Sequence, residues 1–322
     1  MGAVITWRDG DPVELDPRRS AVTVGVFDGV HRGHQALLDR VVELATTRDE
    51  RPVVVTFDPH PLSVLHPQRA PRMVATLEQR LEAIGARGIE VVRVLTFDEF
   101  LAVETASSFI ERVLVHDLRA ADVVVGEDFR FGHDRRGDVD ALRAAGRDHD
   151  FLVEAHRLVG DGRRFSSTAV RSEVASGDVT RAAGVLGRPF TLRGVVVPGD
   201  ERGRELGFPT ANLEVESSQL LPAEGVYAGL VRVPDGRWWA AAVSVGRRPQ
   251  FYDAGGLLVE AHLIDFRGDL YRQRLDVSFL ARLRSQASFG SVADLVAQMH
   301  ADVDVARALA AAHGDEPSSL LG

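Results

Sequence analysis

Residues 22–38 read VTVGVFDGVHRGHQALL, and this stretch decides the fold of the first half of the chain. An apolar, β-branched run at 22–27 predicts a buried strand, and the turn that follows it is rich in glycine. His31 and His34 then open an apolar stripe of helical period. The N–H groups and the dipole of a helix N-terminus point at one spot, which makes that spot an anion site. Two imidazoles there can donate hydrogen bonds to a phosphate whose charge grows during a reaction.

The same stretch excludes the two commonest phosphate-binding loops. A Walker loop needs Gly-Lys-Ser/Thr after four spacer residues, and a dinucleotide-binding loop needs GxGxxG, and neither pattern is present. His31-Arg32-Gly33-His34 instead resembles the HxGH signature of nucleotidylyltransferases, which attack the α-phosphate of a nucleoside triphosphate and expel pyrophosphate. The alternative is a pair of surface histidines at a helix cap. We expect the nucleotide site to include Gly25, Phe27 and Gly33.

The composition is that of a globular protein of about two ordinary domains. The chain has 322 residues, of which 45% are hydrophobic and 26% charged. A formal net charge of −9 argues against a nucleic-acid binder that relies on neutralising phosphates. No apolar run approaches the roughly 20 residues that span a bilayer, and the first residues lack an export signal. We expect a cytoplasmic protein without a membrane or nucleic-acid partner, either a monomer or a weak homo-oligomer.

Two residue types are absent, and each absence excludes chemistry. The chain has no cysteine, which excludes disulfides, thiolate nucleophiles and iron–sulfur clusters. It also has no lysine, since all 38 of its Lys+Arg residues are arginine. This excludes a Walker lysine, a protein-kinase-like lysine and any Schiff-base mechanism. Phosphates must therefore be handled by arginine, histidine, backbone N–H groups and metal.

Strand-like and helical patterns alternate through the first half of the chain. The strand-like runs are 22–27, 52–57, 89–95, 121–126 and 151–156, and the helical stretches lie near 35–48, 76–86, 104–115 and 139–147. Such alternation predicts an α/β domain in which helices cover both faces of a parallel sheet. Ligands bind at the carboxyl ends of the strands in such sheets, which directs attention to the loops at 28–34, 58–61 and 127–137.

From Phe190 the pattern changes to strands without helices between them. These runs are 190–197, 225–233, 237–245, 257–266 and 274–280. Many short strands in succession predict a small antiparallel β-barrel. Ser291 opens a C-terminal helix through a variant of the capping box. We place the domain boundary in Gly187-Arg188-Pro189, which gives domains 1–186 and 187–322.

Two loops of the first domain carry residue types suited to a flat heterocycle. The candidates after the second strand are Phe57, Pro59 and His60. The candidates after the fourth strand are Asp128, Phe129 and Phe131. A ring held in a stiff loop suits stacking, and a carboxylate can orient a hydroxyl. The alternatives are a rigid loop with a solvent-facing histidine, and phenylalanines that plug the core.

A second anion site is predicted near residue 167. Ser167 and Thr168 precede a helical run and can cap it, and Arg171 falls one turn into that helix on the side that faces the cap. Hydroxyls at a helix N-terminus with a guanidinium in reach suit the β- and γ-phosphates that leave as pyrophosphate. A plain helix cap is the alternative.

The second domain carries its polar motif in residues 199–212, GDERGRELGFPTAN. Glycines in this segment permit the backbone to approach phosphates, and the residues that we expect to contact ATP are Gly203, Arg204, Gly207 and Pro209. Thr210 and Asn212 are neutral oxygen ligands two residues apart. They suit a magnesium ion bridged to phosphates, which themselves supply the negative charge.

Glu260 lies in the apolar strand LLVEAHLIDF and shares a face with His262. We expect a carboxylate on such a face to have a raised pKa and to serve as general base toward an alcohol. The alternative is a glutamate at the rim that pairs with an arginine.

Taken together, these motifs resemble the prokaryotic bifunctional FAD synthetases, which combine riboflavin kinase and FMN adenylyltransferase. The resemblance runs from about residue 22 to residue 304. GVFDGVHRGH, TFDPHP, VVVGEDFRFG and SSTAVR are similar to the adenylyltransferase module. GRELGFPTANL, PAEGVYAG and VEAHLIDFRGDLY are similar to the flavokinase barrel.

The resemblance implies a nucleotidylyltransferase fold followed by a kinase barrel, with ATP, riboflavin and FMN as substrates, FAD as product and magnesium as cofactor. It implies that ATP phosphates in the first module are handled by His31, His34, Ser167, Thr168 and Arg171. Phe57 to His60 and Asp128 to Phe131 would contact FMN or adenine. In the barrel, Thr210 and Asn212 would hold magnesium and ATP, and Glu260 would be the base for the riboflavin 5′-hydroxyl.

Two positions depart from the usual pattern of the family. Pro249-Gln250-Phe251 stands where Pro-Thr-Phe is usual, and Leu270-Tyr271-Arg272 stands where Leu-Tyr-Gly is usual. Both departures lie in the kinase module. Competing hypotheses are an adenylyltransferase whose barrel only binds flavin, and a non-catalytic sensor of flavin or nucleotide. Glu260 and Asn212 argue against the first, and the HRGH tetrapeptide argues against the second.

Overall fold

The computed structural model describes residues 4–12, 16–157, 165–199, 202–247 and 257–313. The chain forms two compact units. The first unit comprises residues 1–71 and 77–166, and the second comprises residues 72–76 and 167–322.

The first unit alternates strands and helices, as predicted. Its elements are β1 (Ile5–Trp7), β2 (Ser20–Val24), α1 (Arg32–Arg48), β3 (Arg51–Asp58), α2 (Pro61–Leu65), α3 (Leu77–Gly85), β4 (Val91–Thr96), α4 (Glu99–Val103), α5 (Ala106–Phe109, continued as a π-helix over Ile110–Asp117), β5 (Ala120–Gly126), α6 (Val139–His149) and β6 (Leu152–His156). The five predicted strands and four predicted helices of this region are all present, with ends shifted by a few residues. The short strand β1 was not predicted.

The strands of the first unit form one parallel sheet. Among the described residues its order is β1-β4-β3-β2-β5-β6, and each neighbouring pair is parallel. β2 is buried on both faces and lies between β3 and β5, where the strand order reverses. The loop after β2, which carries His31 and His34, therefore lies at the switch point, where α/β sheets bind their ligands.

Two buried carboxyl groups meet at the opposite, amino end of this sheet. Glu50 directly precedes β3, and Asp122 lies near the start of β5. Burial, followed by the adjacent Asp122 carboxylate, raises the pKa of Glu50 from 4.5 to about 7. The folded chain therefore holds a proton on Glu50 that the unfolded chain releases from about pH 4.5 upward. The stability contributed by this group falls as the pH rises through that window and is lost above pH 7.

We expect Glu50→Gln to raise the unfolding temperature at pH 8.5, by at least about 3 °C, and to change it little at pH 5. Glutamine stays neutral at every pH and can donate a hydrogen bond to Asp122. Each unit by which folding raises the pKa of Glu50 costs about 1.4 kcal/mol of stability at high pH, and 1 kcal/mol changes the unfolding temperature of a domain of this size by roughly 2–4 °C. Thermal unfolding at the two pH values measures the difference. Asp49→Asn, at the exposed neighbouring residue, is the control and should show no gain that depends on pH. An equal shift at both pH values would contradict the prediction.

The second unit contains a β-barrel. Its elements are α7 (Ser167–Ser176), α8 (Val179–Leu186), β7 (Phe190–Val197), α9 (Arg202–Glu205), β8 (Ala211–Val215), β9 (Gly225–Arg232), β10 (Trp238–Arg247), β11 (Leu257–Leu263), β12 (Arg274–Arg284) and α10 (Val292–His313). In the described part, the strands close in the order β10-β11-β8-β7-β12-β9, and every adjacent pair is antiparallel. The predicted barrel is confirmed. Strand β8, which was not among the predicted strands, also belongs to it.

Helices α7 and α8 share one hydrophobic core with this barrel. Their buried side chains are Val170, Val174, Val179, Ala182 and Leu186, and they pack in the same cluster as Leu192 and Phe279 of the barrel. A domain boundary at residue 187 would therefore separate side chains that are buried together.

The C-terminal helix α10 packs on the outside of the barrel, where Ala306 joins Ala228 and Ile264 in a small cluster. As predicted, Ser291 caps the helix, since its Oγ accepts a hydrogen bond of 3.1 Å from the backbone N–H of Asp294. Within the described ranges, no helix has the length and apolarity that crossing a membrane requires.

Candidate active sites

The loop between β2 and α1 holds two non-glycine residues in the left-handed region of backbone conformation. Phe27 has φ of 53° and Val30 has φ of 41°. Both side chains are fully buried, so core packing holds a backbone that costs energy at each position. Gly25 still continues the sheet, because its N–H bonds to the carbonyl of Val55 at 3.0 Å. The loop is therefore rigidly shaped where it delivers the two histidines.

His31 is the N-cap of α1, and its side chain is buried. Its Nδ1 accepts a hydrogen bond of 3.3 Å from the backbone N–H of His34, so the proton of the neutral ring sits on Nε2. The rings of His31 and His34 stack with centroids 3.6 Å apart. A Cβ at Gly33 would lie 3.2 Å from His31 Nδ1, so glycine there leaves room for the capping ring.

The ring of His34 packs against Phe27, with centroids 5.0 Å apart. Burial, followed by the charge that His31 would carry, holds the pKa of His34 well below its usual value of 6.5. His34 is therefore neutral near pH 7 and acts as a hydrogen-bonding group rather than as a fixed cation. Because Phe27 is fully buried, the structure places it beside His34 as a positioning residue rather than as a ligand contact.

Arg80, a residue that the sequence analysis missed, links the loop that follows β2 to the carboxyl end of β3. Its guanidinium is buried and donates to the carbonyl of Val26 at 2.8 Å and to that of Phe57 at 3.3 Å. It also reaches the carboxylate of Asp58 at 3.4 Å. A signal was available, because Arg80 lies on the apolar face of α3 between Leu77 and Ile84.

The loop after β3 gives its histidine a structural part. His60 caps α2, since its Nδ1 accepts a hydrogen bond of 3.1 Å from the backbone N–H of Leu62. Pro59 stands between this cap and the end of β3. The half-buried ring of Phe57 meets Phe97 edge-on at 5.9 Å. This capping hydrogen bond favours the alternative in which His60 belongs to a rigid loop. Stacking of Phe57 or His60 on a ligand stays a prediction.

The loop after β5 divides its predicted residues between core and surface. Phe131 is buried and packs against Phe109 at 5.7 Å, so it plugs the core, as the alternative interpretation held. Phe129 is half-buried and stacks on Phe131 with centroids 5.3 Å apart. Asp128 is exposed at the carboxyl end of the sheet. Phe129 and Asp128 therefore remain available to a ligand, and Phe131 supports them.

Ser167 and Thr168 are the first two residues of helix α7, and Arg171 follows one turn later. Both hydroxyl residues lie inside the first turn, so the prediction that they precede the helix and cap it is not confirmed. All three belong to the second unit. The Nε of Arg171 donates to the backbone carbonyl of Arg72 at 2.8 Å, so part of this guanidinium holds the segment 72–76 within that unit.

In the barrel, strand pairing brings the predicted kinase residues together. Glu260 on β11 lies directly opposite Asn212 on β8 and opposite Ser244 on β10. Asn212 is buried, and a Cβ at Gly199 would lie only 2.1 Å from its Nδ2. Only glycine can therefore stand at residue 199 while Asn212 keeps this position.

Thr210 opens into a cleft of about 340 Å³ beside β8 and β11. The cleft is lined by Val196, Pro209, Thr210, Ala211, Ala261, Leu263, Phe266, Gly268, Asp269, Leu270 and Tyr271. This lining is mostly apolar, with a few polar groups, and the volume falls in the range of small-molecule pockets.

The remaining predicted residues of the second unit are placed as follows. Gly203 and Gly207 lie in α9 and in the turn after it, ahead of Pro209. The side chain of Arg204 lies outside the described residues, and so does Gln250, one of the two departures from the family pattern.

No group of three or more histidine, cysteine, aspartate or glutamate side chains in the described ranges could hold a metal ion by itself. The neutral oxygens of Thr210 and Asn212 nevertheless fit magnesium that arrives with nucleotide phosphates, because the phosphates bring the charge. Glycine at residue 199 leaves the space that the side chain of Asn212 occupies.

The second departure, Arg272, explains why glycine is usual there. Arg272 adopts φ of 62°, in the left-handed region where a side chain costs about 1–2 kcal/mol. We expect Arg272→Gly to stabilise the protein by about 0.5–1 kcal/mol after the entropy of glycine is subtracted, or roughly 1–4 °C in unfolding temperature. Thermal unfolding measures this gain. Arg267→Gly, in the same loop and without a positive φ, is the control and should give none. Equal effects of the two substitutions would show that strain at Arg272 is not the cause.

Comparison with known proteins matches both halves of the chain. The family model described as FAD synthetase matches residues 13–169, and the model described as riboflavin kinase matches residues 186–310. Curated relatives with the name bifunctional riboflavin kinase/FMN adenylyltransferase include one from Pseudomonas fluorescens, 42% identical over 91% of this chain and 94% of its own length. Another, from Escherichia coli K12, is 37% identical over 89% of this chain and 91% of its own length.

A solved structure also matches nearly the whole chain. It is a crystal structure from Streptococcus pneumoniae, of a protein named there as a macrolide-efflux protein, and it is 32% identical to this chain. The match covers 94% of this chain and 99% of the other, and the two superpose with a TM-score of 0.85. The combination of the two folds in one chain is therefore shared with an experimentally determined structure.

Proposed function

The chain belongs to the family of bifunctional riboflavin kinase/FMN adenylyltransferases, and from this premise we propose which residues carry its two reactions. The C-terminal half phosphorylates riboflavin to FMN with ATP. The N-terminal half adenylylates FMN to FAD with a second ATP and releases pyrophosphate.

For adenylyl transfer, the assignment rests on the stacked pair of His31 and His34 at the start of α1, on the switch point of the sheet. A phosphate oxygen of FMN attacks the α-phosphorus of ATP, and the bond from that phosphorus to the pyrophosphate oxygen breaks. Negative charge grows on the α- and β-phosphate oxygens. Imidazole N–H groups and the helix N-terminus meet this charge with hydrogen-bond donors, so no protein nucleophile is needed.

Further residues are assigned to support this site. Arg80 joins the loop after β2 to the carboxyl end of β3, so it sets the position of the histidine loop relative to Phe57 and Asp58. In the loop after β5, Asp128 is exposed and Phe129 is half-buried, and we assign these two to ligand contact. We assign the hydroxyls of Ser167 and Thr168 and the guanidinium of Arg171 to the departing pyrophosphate.

For the kinase reaction, the assignment rests on Glu260 standing directly opposite Asn212. The riboflavin 5′-hydroxyl oxygen attacks the γ-phosphorus of ATP, ADP leaves, and the Glu260 carboxylate accepts the hydroxyl proton. Thr210 and Asn212 would hold magnesium, which when bound neutralises charge on the ATP phosphates.

Separation of riboflavin, FMN and FAD by chromatography tests the assignment. The full-length chain should form FAD from riboflavin, ATP and magnesium, and also from FMN, ATP and magnesium. Asn212→Ala should reduce FMN formation and raise the magnesium concentration needed for half the maximal rate, while FAD formation from FMN stays at the parental rate. An unchanged magnesium requirement for FMN formation would remove Asn212 from the kinase site.

A further inference from the structure

His262 bonds to the turn that carries the proposed magnesium ligands. It follows Glu260 by two residues on β11, and its Nδ1 lies 2.8 Å from the carbonyl oxygen of Pro209. A carbonyl can only accept, so Nδ1–H donates and the histidine has this donor whether its ring is neutral or charged. This hydrogen bond joins the strand of the proposed base to the residue before Thr210.

The contact lies where the backbone ladder ends. The pairing of β11 with β8 runs through Glu260 and Asn212 to Ala261 and Ala211 and has no later rung. In register, His262 comes opposite Thr210. Its side chain therefore supplies the next hydrogen bond between the two strands, at a turn where proline has no N–H to offer.

Ring contacts hold the same turn from two sides. Phe208, just before Pro209, is buried. It meets the ring of His262 edge-on with centroids 5.4 Å apart, and it meets His300 of helix α10 edge-on at 4.9 Å. The Phe208 N–H also bonds to the carbonyl of Gly203 at 2.7 Å. The turn at residues 208–210 is therefore held by ring packing and by a backbone hydrogen bond, and the hydrogen bond from His262 adds a direct link from this turn to β11.

We propose that His262 is a positioning residue of the kinase reaction: its Nδ1–H holds the carbonyl of Pro209, which fixes Thr210 and Asn212 relative to Glu260. This inference rests on the proposed kinase site. One strand then carries both the proton acceptor and the clamp on the metal-binding turn. Misplacing reacting groups by about 1 Å can cost on the order of 100-fold in rate. Loss of the clamp should therefore lower kcat and weaken the response to magnesium.

Two amide substitutions separate the hydrogen bond from the bulk of the side chain. In His262→Asn the amide nitrogen takes the place of Nδ1 and can still donate to Pro209, whereas in His262→Gln it takes the place of Nε2. We expect His262→Asn to keep kcat for FMN formation within about threefold of the parent. We expect His262→Gln to lose roughly 30- to 100-fold and to need several times more magnesium for half its maximal rate.

The measurements are kcat, the KM for riboflavin and the magnesium dependence of FMN formation, made on the full-length chain. FAD formation from FMN in the same preparation reports whether the rest of the chain is intact. His313→Gln is the matched control, because His313 is exposed at the end of α10 in the same unit, and it should stay within about threefold of the parent.

The outcomes are distinct. Loss in His262→Gln with retention in His262→Asn supports the proposal. Parental rates in both variants overturn the proposal. Equal losses in both also overturn it, because the variant that keeps the hydrogen bond to Pro209 would then be no more active than the variant that lacks it. If Asn212→Ala keeps the parental magnesium dependence, the proposed kinase site itself fails. If Asn212→Ala loses it while His262→Gln does not, only the inference about His262 fails.

Discussion

Replacing His34 by alanine should lower the rate of FMN adenylylation by about 100-fold or more while riboflavin phosphorylation continues at the parental rate. His34 stacks on His31 at the N-terminus of α1 and stays neutral, because burial holds its pKa well below 6.5. A neutral imidazole contributes by donating a hydrogen bond to charge that develops on the phosphates. Removal of one such donor typically costs about 100- to 1,000-fold.

The two steps are measured separately, as FAD formed from FMN and as FMN formed from riboflavin. His116→Ala is the matched control, because His116 lies in the same unit and its side chain is 87% exposed. It should leave both rates unchanged. His34→Ala need not disturb the fold, since the cap of α1 is made by His31 and uses only the backbone N–H of residue 34. A folded His34→Ala protein that forms FAD at the parental rate would show that the adenylyl-transfer site lies elsewhere.

The order of elements could be predicted from the sequence because each half carries a single, consistent period. Strands that are buried on both faces, such as β2, are rich in small and β-branched residues and show no polar face, and the glycine-rich turn that follows marks the ligand end of the sheet. Strand β1 was missed, since three residues are too few to display a period. Strand β8 was missed for a different reason. Its five residues, Ala211–Val215, directly follow the polar motif that ends at Asn212, and they include two polar side chains, Asn212 and Glu214.

The motif residues were found by type, but their surroundings could not be. Phe131 packs against Phe109, which lies in α5 and is distant in the sequence, and Phe129 stacks on Phe131. The sequence alone could therefore not decide between a core plug and a ligand platform. His60 was placed correctly in a loop after β3, yet its capping bond to Leu62 depends on the local backbone.

Long-range contacts account for the other differences. Arg80 reaches two segments that are more than 20 residues away in the sequence. Likewise, the sequence of α7 and α8 shows that each helix has an apolar face. It does not show that Val174 and Leu186 on these faces pack against the barrel. The change of sequence pattern near residue 187 marks the first strand of the barrel. It does not mark the domain boundary, because the helices before it share their hydrophobic core with the barrel.

Replacing Glu260 by glutamine should abolish most riboflavin phosphorylation and spare FMN adenylylation. Glutamine has nearly the same volume and can still form a hydrogen bond at its place opposite Asn212 and Ser244, so the barrel should fold. It cannot accept the proton of the riboflavin 5′-hydroxyl. General-base catalysis contributes about 100- to 10,000-fold, and we expect a loss of kcat in that range.

FMN formation is measured at saturating riboflavin, with a circular dichroism spectrum matched to that of the parent. Glu214→Gln makes the same change at an exposed residue of β8, two residues beyond Asn212, and should leave the rate unaffected. FAD formation from FMN in the Glu260→Gln protein reports on the first unit and should equal that of the parent. A loss of less than threefold in FMN formation would make Glu260 a structural carboxylate of the rim, because a group that accepts the reacting proton cannot be removed at so small a cost.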